Sequence, residues 1–364
     1  KFSINAPFTA FKYVAINPNI NISSDFVNRF QEASINEENE VELNTIDRFK
    51  NRTISNLALS ISTKVYGILP FKVRNFQAIR HVMTPRIGFS YSPNYLKNDN
   101  YFQEWNDEYE DYFSGTLIGS TPRTSSKKIN ISLGNVFQAK RNTNNEEEKI
   151  DLFSLRMNTG YDVNKEEFKL STLNSSLRSS LKNGTNIDMN FTHDFYEFNK
   201  EESIRINKLR SIPRLTGIRL STNFTLKGKK NDIQNDNELS EETKNFLNDF
   251  SSNIWQSRIG VSYTLNKINP DNKIENFWLN SNTSVNVTNN WKLNYNARFN
   301  LIDNNIVRHN LTLYREIDCW ELFVDWTPNG YARGLYFRLN LKSDMLQDLK
   351  VEQKTGIYTT RPSF

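Results

Sequence analysis

The side chains with the means to do chemistry are few in kind, and mostly basic. Arg80, Arg86, Arg156, Arg219, Arg258, Lys292, Arg298, Arg308, Arg338 and Lys342 each occupy a polar position of an alternating stretch. Alternation places them on the polar face of a strand. A cationic face attracts phosphates of an anionic lipid or other anionic solutes. The same residues are equally suited to pairing with Asp and Glu on that face, as mixed-sign charge usually does. The three histidines, His81, His193 and His309, lie far apart on apolar faces without metal-ligand spacing, so they read as structural or interfacial. Glu108, Glu110 and Asp111 read as solvated loop charge. No Ser/His/Asp arrangement suggests itself. The expectation is therefore a protein that is not an enzyme, with no cofactor and no metal. Cys319 is the single cysteine, which forbids an internal disulfide. It is either an inert lone thiol or one bridged to a partner outside this chain.

The elements that carry these residues are long alternating strands. In the stretch from Asn290 to Lys342, Trp291, Leu293, Tyr295, Ala297, Phe299 and Leu301 alternate with Lys292, Asn294, Asn296, Arg298 and Asn300. The pattern restarts at Val307–Leu313, at Trp320–Trp326 and, after a Pro328-Asn329-Gly330 turn, at Leu335–Leu341. Soluble strands average about five or six residues. A strand crossing a bilayer at a tilt needs about nine to eleven. Consecutive alternating segments of this length are the signature of a transmembrane β-barrel. Template matching over the chain expects about 14 or 15 antiparallel strands without an internal domain boundary. Pro18 and Pro85 fall within strands and lack the N–H a ladder needs, so both are candidate positions of weak pairing. Long loops are expected at about 28–52, 94–125 and 228–252; on a barrel such loops belong to the extracellular side.

Composition agrees with that architecture. The chain has 364 residues and a mean hydropathy of −0.66. No apolar run reaches the roughly eighteen residues of a helical span. Low hydropathy suits a barrel, because half of each strand faces water. Aromatics reach 13%, as expected where rings mark both membrane interfaces. The net charge is +5, but 46 Lys and Arg are interspersed with 41 Asp and Glu. No basic tail or patch stands out, which argues against nucleic acid as a partner. The opening KFSINAPFTAF lacks a secretory hydrophobic region, and Lys1 is expected to be an internal start.

Three stretches, IRHVMTPRIGFSYSP from Ile79, SLGNVFQAK from Ser132 and HNLTLYREIDCWELFVDWTPNGYARGLYFRLNLK from His309, resemble the outer-membrane barrel of the lipopolysaccharide-assembly (LptD-type) family in a Bacteroidetes-like form; DLKVEQKTG from Asp348 also fits. The resemblance implies an outer-membrane protein that receives lipopolysaccharide from a periplasmic lipid bridge. It implies release of the lipid through a lateral opening between the first and last strands, a plug lipoprotein inside the barrel, and insertion by the barrel-insertion machinery. Family members often carry a cysteine pair near this position, bridged to N-terminal cysteines. Here Cys319 stands alone, a departure from that pattern that sets the family's disulfide aside for this chain while allowing a bridge to a missing N-terminal segment. The family barrel is larger than fifteen strands, so the chain is expected to be its C-terminal part. Two other readings compete: an outer-membrane diffusion or uptake channel, and a structural surface protein whose loops at 94–125 and 228–252 hold a partner.

Overall fold

A computed structural model describes residues 1–35, 41–73, 76–105, 108–143, 146–181, 184–228, 254–288, 290–330, 332–342 and 349–359. The chain divides into two compact units, Lys1–Ser176 with Thr192–Leu215, and Leu177–Phe191 with Thr216–Phe364. The strands are, in order, β1 (Phe2–Asn5), β2 (Phe8–Ala10), β3 (Val14–Val27), β4 (Phe30–Ile35), β5 (Val41–Ile46), β6 (Lys50–Thr63), β7 (Val65–Val73), β8 (Phe76–Ser92), β9 (Phe102–Trp105), β10 (Glu108–Asp111), β11 (Ser126–Thr143) and β12 (Glu146–Asp162). There follow β13 (Leu173–Ser180), β14 (Asn186–Asn199), β15 (Ile204–Lys227), β16 (Trp255–Asn266), β17 (Ile274–Thr288), β18 (Trp291–Asn300), β19 (Asn305–Ile317), β20 (Trp320–Thr327), β21 (Gly334–Leu341) and β22 (Lys350–Lys354).

Every ladder described is antiparallel. In the first unit β3 pairs with β1 and β2 on one side and β6 on the other, and the ladder continues through β8 to β11 and β12. β7 continues the β6 edge of β8. In the second unit β15 to β22 pair in sequence order. Among the described residues eighteen strands, all but β4, β5, β9 and β10, belong to the main antiparallel sheet. The period-two pattern anticipated about fifteen. β1 and β2, of four and three residues, are too short to show a period. The third extra strand arises because the stretch around Leu57–Leu69 is cut at Lys64 into β6 and β7.

The registers convert alternation into two faces. In the first unit Ile16, Ile61, Ile87, Ile131 and Thr159 stand in one row, and Pro18, Leu59, Phe89, Ile129 and Tyr161 in another on the same side. The opposite side carries Ala15, Ser62, Arg86, Ser132 and Asn158. The apolar side is the exposed one: Ile87 is 54% exposed, Ile131 45% and Leu57 40%. A water-soluble sheet buries that side, since an exposed apolar face of this extent has no favourable solvent except lipid. Among the described residues the hydrophobic cluster of buried side chains is Tyr101, Phe102 and Phe113, which lies in a connection outside the walls. The ladders thus sort apolar side chains to one, exposed face and polar side chains to the other. This is an all-β antiparallel barrel fold.

Two of the expected long loops hold structure. The 28–52 stretch contains the β4–β5 hairpin and the 94–125 stretch the β9–β10 hairpin. Each hairpin is short and charged, which hid it from a period count. The third stretch, 228–252, lies outside the described residues beyond Gly228. The face assignment is directly checkable. Leu59→Arg, on the exposed apolar side, should destabilise the membrane-inserted protein by about 2–4 kcal/mol. Ser60→Arg, one residue on and facing the other way, should cost far less. Denaturant titration of protein folded in lipid vesicles would measure both, and equal penalties would contradict the assignment.

Candidate functional site

The polar side of the second unit gathers seven of the ten basic residues. Arg219, Arg258, Lys292, Arg298, Arg308, Arg338 and Lys342 share it, by register and by strand alternation. Arg80, Arg86 and Arg156 share the polar side of the first unit, opposite Gln138, Ser132 and Gly134.

Charge on the second unit's polar side is partitioned. Toward the β19–β20 turn it is neutralised. Glu321 is 1% exposed; its carboxylate accepts from Asn340 Nδ2 at 2.7 Å and lies 3.9 Å from Arg338. Lys342 Nζ pairs with Glu316 at 3.5 Å. Lys350 and Lys354 both reach Glu352, at 3.7 and 2.8 Å. Tyr314, buried beside Glu316 and Glu321, donates its hydroxyl toward both carboxylates. Buried carboxylates need such partners, because removing one leaves an uncompensated charge.

Farther along the same side two adjacent rows form a concave recess. One row is Asn223, Gly260, Asn280, Arg298 and Arg308; the next is Thr225, Arg258, Asn282, Asn296 and Asn310. These residues line a cavity of about 710 Å³. Asn282 donates to Asn296 at 2.5 Å, and Asn310 donates to Asp325 and, at 3.1 Å, to Thr327. The Arg298 guanidinium lies 4.4 Å from the centre of the Trp278 ring. The asparagines, which the basic-residue count overlooked, become visible as a set only once the register puts them in rows.

The second feature is an interrupted pairing at the N-terminal edge. The register that pairs Asn5 with Asn19 and Phe8 with Ile16 sets Ala6 opposite Pro18 and Pro7 opposite Asn17. Ala6 N–H donates to the Pro18 carbonyl at 3.2 Å. Proline has no N–H to return, so the second bond of that pair is missing and the strand splits into β1 and β2. Four pairs join β1 to β3 and three join β2 to β3, against fourteen between β3 and β6. Asn19 donates its amide to Asn5 and Ser3 across this edge. Pro7 was missed in the sequence, because it falls between two fragments too short to read as strand. Pro85 sits at the other interruption: pairing of Ser62 with Arg86 resumes at Val65 with Met83, so the break at Lys64 faces Thr84 and Pro85.

The third feature is a folded cap on one end of the first unit, built from the two hairpins. The Gln103 amide accepts from Ala33 N–H at 2.8 Å and donates to Ala33 C=O at 2.9 Å, as a strand would. Phe30 meets Tyr112 edge-on at 5.6 Å. Burial, with the carboxylates of Glu32 and Asp99 nearby, pushes the Tyr112 hydroxyl above its ordinary value, so the ring is neutral at physiological pH. Arg52 is 2% exposed and fastens the cap to the polar side. Its guanidinium donates to the carbonyls of Gly119 and Ile118 at 2.8 and 3.0 Å and to Thr121 Oγ1 at 3.0 Å, and lies 3.5 Å from Asp25. Asp111, also buried, accepts from Phe113 N–H and from the Thr121 N–H and hydroxyl. Beyond Leu57, where β6 leaves β8, two tyrosines replace the missing strand. Tyr101 Oη bonds the N–H and C=O of Thr53, each at 2.8 Å, and Tyr95 Oη accepts from Ser55 N–H at 2.6 Å.

Two of the three histidines are held by local contacts. His81 stacks on Phe137 at 4.3 Å with Nε2 3.0 Å from Asn135. His309 lies between Tyr295 and Asn329, each at 3.4 Å. His193 stands on β14. Among the described residues no group of three His, Cys, Asp or Glu could hold a metal ion. Cys319 is exposed, with its carbonyl accepting from Lys342 N–H.

Long antiparallel ladders with a lipid-suited exterior and an amide- and arginine-lined interior define an outer-membrane β-barrel protein. The chain belongs to the LptD protein family, whose model matches residues 1–196. Members transport and assemble lipopolysaccharide at the outer membrane, interact with that lipid and its transport machinery, and are not known as enzymes. No curated protein matches the chain.

The cap gives a local test. Arg52→Ala should cost about 3–5 kcal/mol locally, because Asp25, the carbonyls of Ile118 and Gly119 and the Thr121 hydroxyl lose a buried partner. Limited proteolysis should cut faster between Phe113 and Thr121 while strand content by circular dichroism is unchanged. Unaltered cleavage would mean the cap is held by its aromatic cluster alone.

Proposed function

We propose that this chain passes the sugar portion of lipopolysaccharide along its polar sides while the acyl chains leave sideways, and that the leaving point is the pairing of β1 and β2 with β3. The observation that carries the reading is the proline interruption. An unmade backbone hydrogen bond in lipid is costly, so a barrel opens where the fewest bonds must break. The edge with seven pairs and a missing donor at Pro18 is a far weaker seam than the fourteen-pair ladder beside it. Ser3, Asn5, Asn19 and Asn21 on its polar side offer amides and hydroxyls to sugar as the strands part. The candidate basic residues serve this path by drawing in phosphate groups. On this reading the protein works with a plug lipoprotein, a periplasmic lipid bridge and the barrel-insertion machinery, and Cys319 is available to a cysteine of another segment or chain.

The alternative, a diffusion channel for small solutes, needs no weak seam. Three outcomes separate the two. Depletion of the protein should leave newly made lipopolysaccharide inside the outer membrane and absent from the cell surface. Pro18→Ala restores the donor opposite Ala6 and should slow surface arrival at normal protein level. A Ser3→Cys/Asn21→Cys pair, directly opposite in the register, should block arrival when oxidised and recover with reductant. Normal export by the oxidised pair would sink the seam. Unchanged surface lipid with reduced solute uptake on depletion would favour the channel.

A further inference from the structure

We infer that the recess on the polar side of the second unit is a binding site for a saccharide bearing an oxyanion such as a phosphoryl group. The role of such binding in export rests on the proposed function above, while the binding itself does not.

The first ground is the charge partition. The basic residues toward the β19–β20 turn are committed: Arg338 to Glu321, Lys342 to Glu316, Lys350 and Lys354 to Glu352. Arg298 and Arg308 have no carboxylate partner among the described residues. They are also directly opposite each other across β18 and β19. Like charges in that position repel and destabilise a sheet. An anion lying between them relieves the repulsion, and the guanidinium fork matches an oxyanion with two parallel hydrogen bonds.

The second ground is shape. The β18–β19 register slips immediately beyond this pair, with Arg298 opposite Arg308 but Phe299 opposite Ile306, so Val307 forms a bulge. Bulges bend a strand and re-aim side chains, and they recur beside functional sites. Gly260 lets the Asn223 amide lie across the floor, since a Cβ there would stand 2.7 Å from Asn223 Oδ1. The resulting cavity of about 710 Å³ is within the range of about 300–1,000 Å³ usual for ligand sites.

The third ground is the lining. Asn223, Asn280, Asn282, Asn296 and Asn310 surround the arginines. Each amide has both a donor and an acceptor end, the pairing that sugar hydroxyls require. Arg298 and Arg308 are exposed, hence open to a ligand. Trp278, its ring centre 4.4 Å from the Arg298 guanidinium, adds an aromatic face at the margin.

The test uses the full-length protein in detergent and isothermal titration with a phosphorylated disaccharide, its dephosphorylated form and inorganic phosphate. The phosphorylated disaccharide should bind at least tenfold more tightly than either of the others. Arg298→Gln/Arg308→Gln should remove that margin, while Lys354→Gln, whose ammonium is committed to Glu352, should leave it. Heat-modifiable gel mobility identifies variants that keep the barrel, and Gly260→Leu, which fills the floor, supplies an independent block. Equal binding of both disaccharides, or a margin that survives both blocks, overturns the site. Inorganic phosphate binding as tightly as the phosphorylated disaccharide overturns the saccharide assignment. A lost margin with normal lipopolysaccharide export supports the site and counts against the proposed path.

Discussion

Backbone hydrogen bonding in lipid constrains everything else in this molecule. In water an unpaired N–H finds solvent; in the bilayer it does not, and each costs several kcal/mol. The long registers from β3 to β12 and from β15 to β22 are the response. The exceptions are then informative. At the upper part of β6, where β8 has peeled away, Tyr95 and Tyr101 hydroxyls take over the bonds of Ser55 and Thr53. At Ala6–Pro18 a bond is missing and nothing replaces it in the ladder. One departure is repaired by side chains from a folded cap; the other is left weak at the shortest pairing of β3.

The same solvent logic inverts the usual core. Ile16, Ile61, Ile87 and Ile131 make a row that faces outward, while Arg52, Asp111, Glu321 and Asn340 are among the most buried side chains. Burying charge is tolerable only with partners, and they are present: Arg52 holds carbonyls and Asp25, and Glu321 holds Asn340 and Arg338. These contacts fix geometry more than they add stability, since a buried ion pair often does little better than breaking even against an apolar replacement.

Much of this was legible from the amino-acid order. Alternation from Trp291 to Phe299 and from Ile129 to Leu133 gave strand identity and facing, because a period of two follows directly from the pleat. Pro18 was visible as a missing donor. Its counterpart Pro7 was not, since opposition across an edge depends on register, which a single strand does not encode. The recess was invisible for the same reason: Asn223, Asn280 and Asn296 are spread over more than seventy residues and meet only through three ladders. The hairpins β4–β5 and β9–β10 were hidden by charge, as Glu and Asn obscure strands held mainly by cross-contacts such as Gln103 with Ala33.

The basic residues of the polar side are not electrostatically equivalent. A cation with a carboxylate at 2.8–3.9 Å, as Lys354 and Arg338 have, is largely neutralised for a passing ligand. A pathway also cannot afford tight binding everywhere, because conduction needs sites favourable enough to enter and weak enough to leave. Neutralised stretches and bare stretches therefore do different work. The paired network holds the wall in shape near the β19–β20 turn. The opposed Arg298 and Arg308, exposed and set among asparagines, attract an anion without burying it, and solvent screening keeps that attraction modest. On the path proposed above, affinity that is local, shallow and amide-rich suits a surface over which a large anionic sugar moves, whereas a deep, fully desolvated arginine pocket would hold it.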